Sequence, residues 1–69
     1  MNSEQRAAYK LLHDAGGKLI RYTGGHGIWK VRGHTFALPH HTSAWKGNRA
    51  VMYAMKTRTF LKRLERGSV

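Results

Sequence analysis

The sequence predicts an α+β domain in the order α-β-β-β-α, a three-stranded antiparallel sheet carrying two helices on one face. Three observations lead there. Apolar stripes of helical period occupy both ends of the chain, three short segments rich in β-branched and aromatic residues fill the middle, and glycines punctuate the changes. With 69 residues and no cysteine, the chain reads as one domain, residues 1–69, stabilised by apolar burial without disulfides or thiolate-held zinc. Two amphipathic helices and a half-buried sheet satisfy each other in two layers. The second sheet face is left open.

The first helix starts at Asn2, whose side chain can cap it, with Gln5 three residues on in capping-box spacing. Ala8, Leu11, Leu12 and Ala15 recur at i, i+3, i+4 and i+7 as one apolar stripe, and Gly16 and Gly17 stop the helix. "KLIRYT" (residues 18–23) and "GIWKVR" (residues 27–32) read as strands. In the second of these, Trp29 and Val31 alternate with Ile28, Lys30 and Arg32. The open face is expected to carry cations from among Arg21, Lys30 and Arg32. Gly33 suits a tight hairpin into "HTFAL" (residues 34–38), which Pro39 ends because it cannot donate to a ladder.

"HHTSAWKGN" (residues 40–48) reads as a loop, with Asn48 a candidate cap for a helix over residues 49–65. There Ala50, Tyr53, Ala54, Thr57, Leu61 and Leu64 form the inward stripe. Val51, Met52 and Met55 lie off that stripe, and either widen the buried face or form an exposed patch for a partner. Residues 66–69 are expected to fray.

Charge narrows the function. Thirteen Lys and Arg against three Asp and Glu give a formal net charge of +10. A domain so basic attracts polyanions through phosphate contacts and counterion release. Nucleic acid is preferred over an acidic protein, and a membrane surface is disfavoured, since no segment joins a cationic face to a strongly apolar one. No apolar run approaches the roughly 20 residues of a membrane span. The first residues lack the apolar core of a secretory leader, so a cytoplasmic location is expected.

The titratable inventory is short. Glu4, Asp14 and Glu65 are the acids, each in or near a helix, which argues against paired-carboxylate chemistry or a carboxylate-held magnesium. The histidines are His13, His26, His34, His40 and His41, and no metal site or cofactor is expected from them. RNA cleavage without metal needs a base for the 2′-OH proton, an acid for the leaving oxygen and cations for the phosphorane. Histidine fills either proton role near neutral pH. His26, set in "TGGHGIW", has Gly24 and Gly25 beside it to leave room for a phosphate, and Lys30 four residues on. The same glycines equally suit a β-turn whose histidine merely tolerates the geometry.

The stretch "GGKLIRYTGGHGIWKV", followed by "FALPHH" and a "KGN" leading into a helix, resembles the HicA-type toxins. These are small messenger-RNA interferases with a fold like that of double-stranded-RNA-binding domains. The resemblance spans roughly residues 5 to 55 and rests on the order and spacing of its pieces. It implies that His26 takes the place of the catalytic histidine, that RNA is cut without metal, and that a HicB-type antitoxin docks over the active face. Gly27 stands where the family pattern has a second histidine, Gly25 where it has a serine, and Gly17 where a bulky residue is common. The last helix runs beyond the usual end with the basic "KTRTFLKR".

The expected site is therefore His26 as catalytic group, with Gly24, Gly25, Arg21, Lys30, Arg32, His40, Lys46, Arg58 and Lys62 meeting RNA phosphates. Two alternatives stay open. One is a non-catalytic nucleic-acid-binding module of the same fold. The other is a phage or mobile-element adaptor that binds DNA or a host protein through the basic last helix.

Overall fold

The computed structural model describes residues 1–67 and has the order α1 (Ser3–Asp14), β1 (Lys18–Thr23), β2 (His26–Val31), β3 (His34–Pro39), a single 3-10 turn (Thr42–Ala44) and α2 (Asn48–Arg66). The predicted α+β architecture is what the chain adopts. The three strands are antiparallel in the spatial order β1-β2-β3. Both helices pack on one face, around a core of Ala8, Leu12, Trp29, Val31, Leu38, Trp45 and Ala50.

Local chemistry accounts for most boundaries. The Asn2 side chain accepts the Gln5 N–H at 2.9 Å and caps α1, while its Nδ2 donates to the Trp45 carbonyl at 2.6 Å. One residue thus starts a helix and ties it to the loop before α2. Both hairpins have two-residue turns, Gly24-Gly25 and Arg32-Gly33, with φ of 54° and 81°, then 51° and 84°. Positive φ at both positions gives the turn that matches the twist of the flanking strands. Arg32 is the only non-glycine residue with positive φ among those described.

Three boundaries differ from the sequence reading. β2 begins at His26 and ends at Val31, so Arg32 belongs to a turn and not to the open strand face. Asn48 does not cap α2. The non-helical position is Gly47, at a φ of 53° that glycine tolerates, and Asn48 is already the first helical residue. At the other end Arg66 remains helical, and Gly67 closes α2 in the left-handed conformation, its N–H reaching the Arg63 and Leu64 carbonyls. The expected fraying at residues 66 and 67 is replaced by a capped end, and residues 68 and 69 lie outside those described.

The inward stripe of α2 is Ala50, Ala54 and Thr57, with Tyr53, Leu61 and Leu64 half-buried beside them. Aromatic contacts bind the layers: Tyr9 lies 5.3 Å from Trp29, Trp45 lies 5.1 Å from Tyr53, and Phe36 stacks on Phe60 at 4.5 Å. Buried Gln5 knots α1 to the segment after β3. Its Nε2 donates to Tyr9 Oη and to the His40 carbonyl, and its Oε1 accepts from Thr42 Oγ1. Among the described residues no helix is long and apolar enough to cross a membrane.

The two tryptophans differ in one respect that stability measurements can read. Trp45 Nε1 donates to the Pro39 carbonyl at 3.0 Å, whereas the buried Trp29 Nε1 has no partner. An orphaned buried donor costs about 1–3 kcal/mol. Trp29→Phe removes that donor and offsets part of the lost volume, while Trp45→Phe loses both volume and a satisfied bond. In urea titrations Trp45→Phe is expected to cost roughly 2–3 kcal/mol and Trp29→Phe about half of that or less. Equal losses would show that the indole N–H of Trp29 finds a partner in solution.

Candidate nucleic-acid interface

The sheet register sorts the cations. Gly27, Trp29 and Val31 of β2 are buried beneath the helices, so His26, Ile28 and Lys30 point to the other side. From β1, Lys18 lies opposite Lys30 and Arg21 opposite Ile28, while Leu19 and Tyr22 lie opposite Trp29 and Gly27. In a regular strand Lys18 and Arg21, three apart, would face opposite ways. A register shift between Leu19 and Arg21 inserts one residue, Ile20, and brings both cations onto the open face.

The open face thus carries Lys18, Arg21 and Lys30 around Ile28, with Thr35 and Ala37 from β3. Lys18 and Lys30 are directly opposed, a pairing that costs stability when nothing lies between them. All three carboxylate side chains are on helices: Glu4 in the first turn of α1, Asp14 at its end and Glu65 near the end of α2. Asp14 is held by Lys10, whose ammonium bonds it at 3.0 Å and lowers its carboxyl below the ordinary range, with a smaller pull from His13. Among the described residues no ion pair reaches the cations of the sheet.

At the end of β2 away from Arg32, histidines gather around the first hairpin. His26 is exposed, and its Nδ1 lies 3.2 Å from the Gly24 carbonyl. An Nδ1–H donating to that oxygen leaves the Nε2 lone pair facing outward, the form a general base requires. The His40 N–H donates to the Gly25 carbonyl at 2.9 Å and braces the turn against the end of β3. The His40 ring turns instead to Tyr22, at 4.1 Å, and lies 5.2 Å from His41. His41 packs over the turn itself, its Cδ2 3.9 Å from where a Cβ on Gly25 would stand.

Of the residues predicted for the site, the fold gathers Gly24, Gly25 and His26 at one end of the sheet, with His40 adjoining. Arg21 and Lys30 follow along the open face. Arg32 is not among them: it sits at the opposite hairpin, roughly 20 Å along the strand direction, in a cleft shared with Asp14 and Glu65. Lys46 lies in the loop before α2, and Arg58 and Lys62 are exposed on α2, in the helix layer. Sequence reasoning missed Lys18 as a site residue, and it offered His40 and His41 together as possible supports for a phosphate or a neighbouring loop. The break of alternation at "LIR" was the only signal for Lys18, and nothing in the sequence separated His41 from His40.

Gly27 stands where the HicA-type pattern has a histidine. A Cβ on Gly27 would lie 3.0 Å from Leu19 Cδ1 and 3.8 Å from Trp29 Nε1, on the helix side of the sheet. A side chain at 27 would therefore point away from His26 and the cationic row. Among the described residues, no group of three or more His, Cys, Asp or Glu side chains is placed to hold a metal ion.

Fold and face together define a small basic α+β protein that presents an uncovered cationic sheet with histidines at one end. Comparison with protein-family models, curated proteins and solved structures gives no significant match to this chain.

Proposed function

We propose that the protein binds RNA on its open sheet face and cleaves it at the histidine end without a metal. The observation that carries this reading is the acid-free row of Lys18, Arg21 and Lys30 on the face where His26 also projects. Three cations with no carboxylate among them suit a run of phosphates, and a phosphate between Lys18 and Lys30 would relieve their mutual repulsion.

In the proposed reaction His26 Nε2 takes the proton of a ribose 2′-OH, and the 2′-oxygen attacks the adjacent phosphorus. The phosphorane charge is met by Lys and Arg side chains. A second group protonates the departing 5′-oxygen, leaving a 2′,3′-cyclic phosphate and a 5′-OH. His41, whose ring packs over Gly25, the residue before His26, is our candidate for that second group. The resemblance to HicA-type toxins supports the same reading, and with it a cytoplasmic protein acting on messenger RNA and restrained by a HicB-type antitoxin.

One observation favours a second reading, RNA binding without cleavage. Among the described residues the His26 ring bonds only the Gly24 carbonyl, so no carboxylate orients or charges it. Labelled RNA incubated with the protein in EDTA decides between them. Cleavage predicts fragments ending in cyclic phosphate, lost by about 100-fold or more in His26→Ala and reduced in His41→Ala. A 2′-deoxy substitution at the cut site is expected to block cleavage and to spare binding. Intact RNA together with salt-sensitive binding would leave the binding module.

A further inference from the structure

Val51, Met52 and Met55 are 51%, 43% and 59% exposed, so they do not widen the buried face of α2. Together with Phe36 and Phe60 they line an open trough of about 780 Å³ that runs along the outer side of α2. Phe36 and Phe60 stack at 4.5 Å with an interplanar angle of 8°, which gives the trough a flat aromatic wall. We propose that this trough docks an acidic amphipathic helix of a partner protein, and that it does so while the sheet face remains free for RNA.

The chemistry of the trough selects that occupant. Its apolar side chains, Val51, Met52, Met55 and Phe60 of α2 with Phe36 of β3 beside them, offer a stripe to an apolar stripe of similar width. Two methionines, flexible and polarizable, adapt to such a stripe. Lys56 and Arg63 line the same trough and, among the described residues, no carboxylate does, because the one acid of α2, Glu65, lies in the separate cleft with Arg32. A partner with Glu or Asp flanking its apolar stripe complements both features. A second copy would instead place Lys56 against Lys56 between two chains that each carry +10.

The placement also separates the two surfaces. The trough lies on the helix side of the sheet, between α2 and Phe36 of β3, whereas Lys18, Arg21, Lys30 and His26 face away from both helices. A partner seated there does not cover the sheet, unlike a partner that docks over the active face. The inference stands whether or not the sheet binds RNA.

The test uses the full chain and a fluorescent synthetic peptide with leucines at every third or fourth position in a Glu/Ala background, plus a counterpart with Lys for each Glu. The acidic peptide is expected to bind at least about tenfold tighter than the basic one, and Met52→Ser/Met55→Ser to weaken it by about tenfold. Lys56→Glu is expected to weaken it as well, while the melting temperature of each variant stays close to that of the parent. Acidic-peptide binding that ignores the methionine changes would overturn the proposal, since it would then be charge attraction alone. Two other results would overturn it equally. One is a dimer in sedimentation that the methionine changes dissociate. The other is binding to phosphatidylserine vesicles that the same changes abolish.

Discussion

Reversing two cations of the open face, Lys18→Glu with Arg21→Glu, is expected to lower RNA affinity by about 100-fold at 0.1 M salt without harming the fold. The size follows from charge. Each removed phosphate contact lowers the slope of log affinity against log salt by roughly one, and each reversal adds repulsion to the loss. Stability should move the other way. Lys18 faces Lys30 across the β1–β2 ladder, so Glu at 18 turns a like-charge pair into an opposite-charge pair. Cross-strand pairs of that kind contribute about 0.2–1 kcal/mol. Both altered side chains are exposed on an edge strand, and no core contact is lost. Filter binding over a salt series and urea denaturation together check the result. A variant that binds as before would remove the sheet from the interface, and one that unfolds more easily would show that Lys18 and Lys30 do not repel each other across the ladder. Arg58→Ala/Lys62→Ala makes the contrast, since the helix layer is expected to contribute only a modest, sequence-independent attraction.

The opposed signs bear on why the face is built this way. A lysine pair placed edge to edge weakens the free protein, and an anion between the two lysines repairs that loss. Folding alone would favour opposite charges at these positions, as at Lys10 and Asp14 on α1. The β1 bulge has the same character, because it interrupts the ladder yet aligns Lys18 with Arg21.

How much of this was legible in the sequence depends on the kind of interaction. The helices, the strand order and the open face follow from periodicity and glycine placement, which are local. Asn2 showed the first cap because its side chain and the Gln5 N–H lie within four residues, but the Gln5 side chain turns to Tyr9, His40 and Thr42 and does not complete the capping box. The bulge was not legible: an extra residue in β1 is decided by pairing with Trp29 and Ile28, which lie across a turn. Arg32 was misplaced for a related reason. Alternation continues through it in sequence, yet the two-residue hairpin needs positive φ there. His41 joined the site only through the bond from the His40 N–H to Gly25, a contact across the sheet end. Gly47 displaced Asn48 as the start of α2 because backbone geometry, and not side-chain chemistry, decides that boundary.

Gly17→Ala is expected to be the most damaging single change, and its cause is space, not backbone strain. A Cβ at position 17 would stand 2.6 Å from the Leu12 carbonyl oxygen and 2.8 Å from Val31 Cγ2. Leu12 and Val31 are both fully buried, so neither has room to withdraw. Moving residue 17 instead would break its N–H bond to the Leu12 carbonyl, 2.8 Å long, and lift the start of β1 from α1. Overpacking of this kind costs about 3 kcal/mol or more. For a chain this short the total stability is about 3–10 kcal/mol, so the melting temperature should fall by roughly 15 °C or beyond. Gly16→Ala is the control. Nothing lies within 4 Å of a Cβ there, but φ is +85°, so the cost is backbone strain of about 1–2 kcal/mol. Val31→Ala in the Gly17→Ala background removes one of the two obstructing atoms, and the pair is expected to be less damaging than the sum of its parts by about 1 kcal/mol. Thermal melts of the four variants and the parent decide it. Simple additivity would mean that the Leu12 carbonyl alone opposes the new methyl. A Gly17→Ala melt within a few degrees of the parent would mean that the α1–β1 junction yields, and that the tight join is not what excludes a bulky residue at 17.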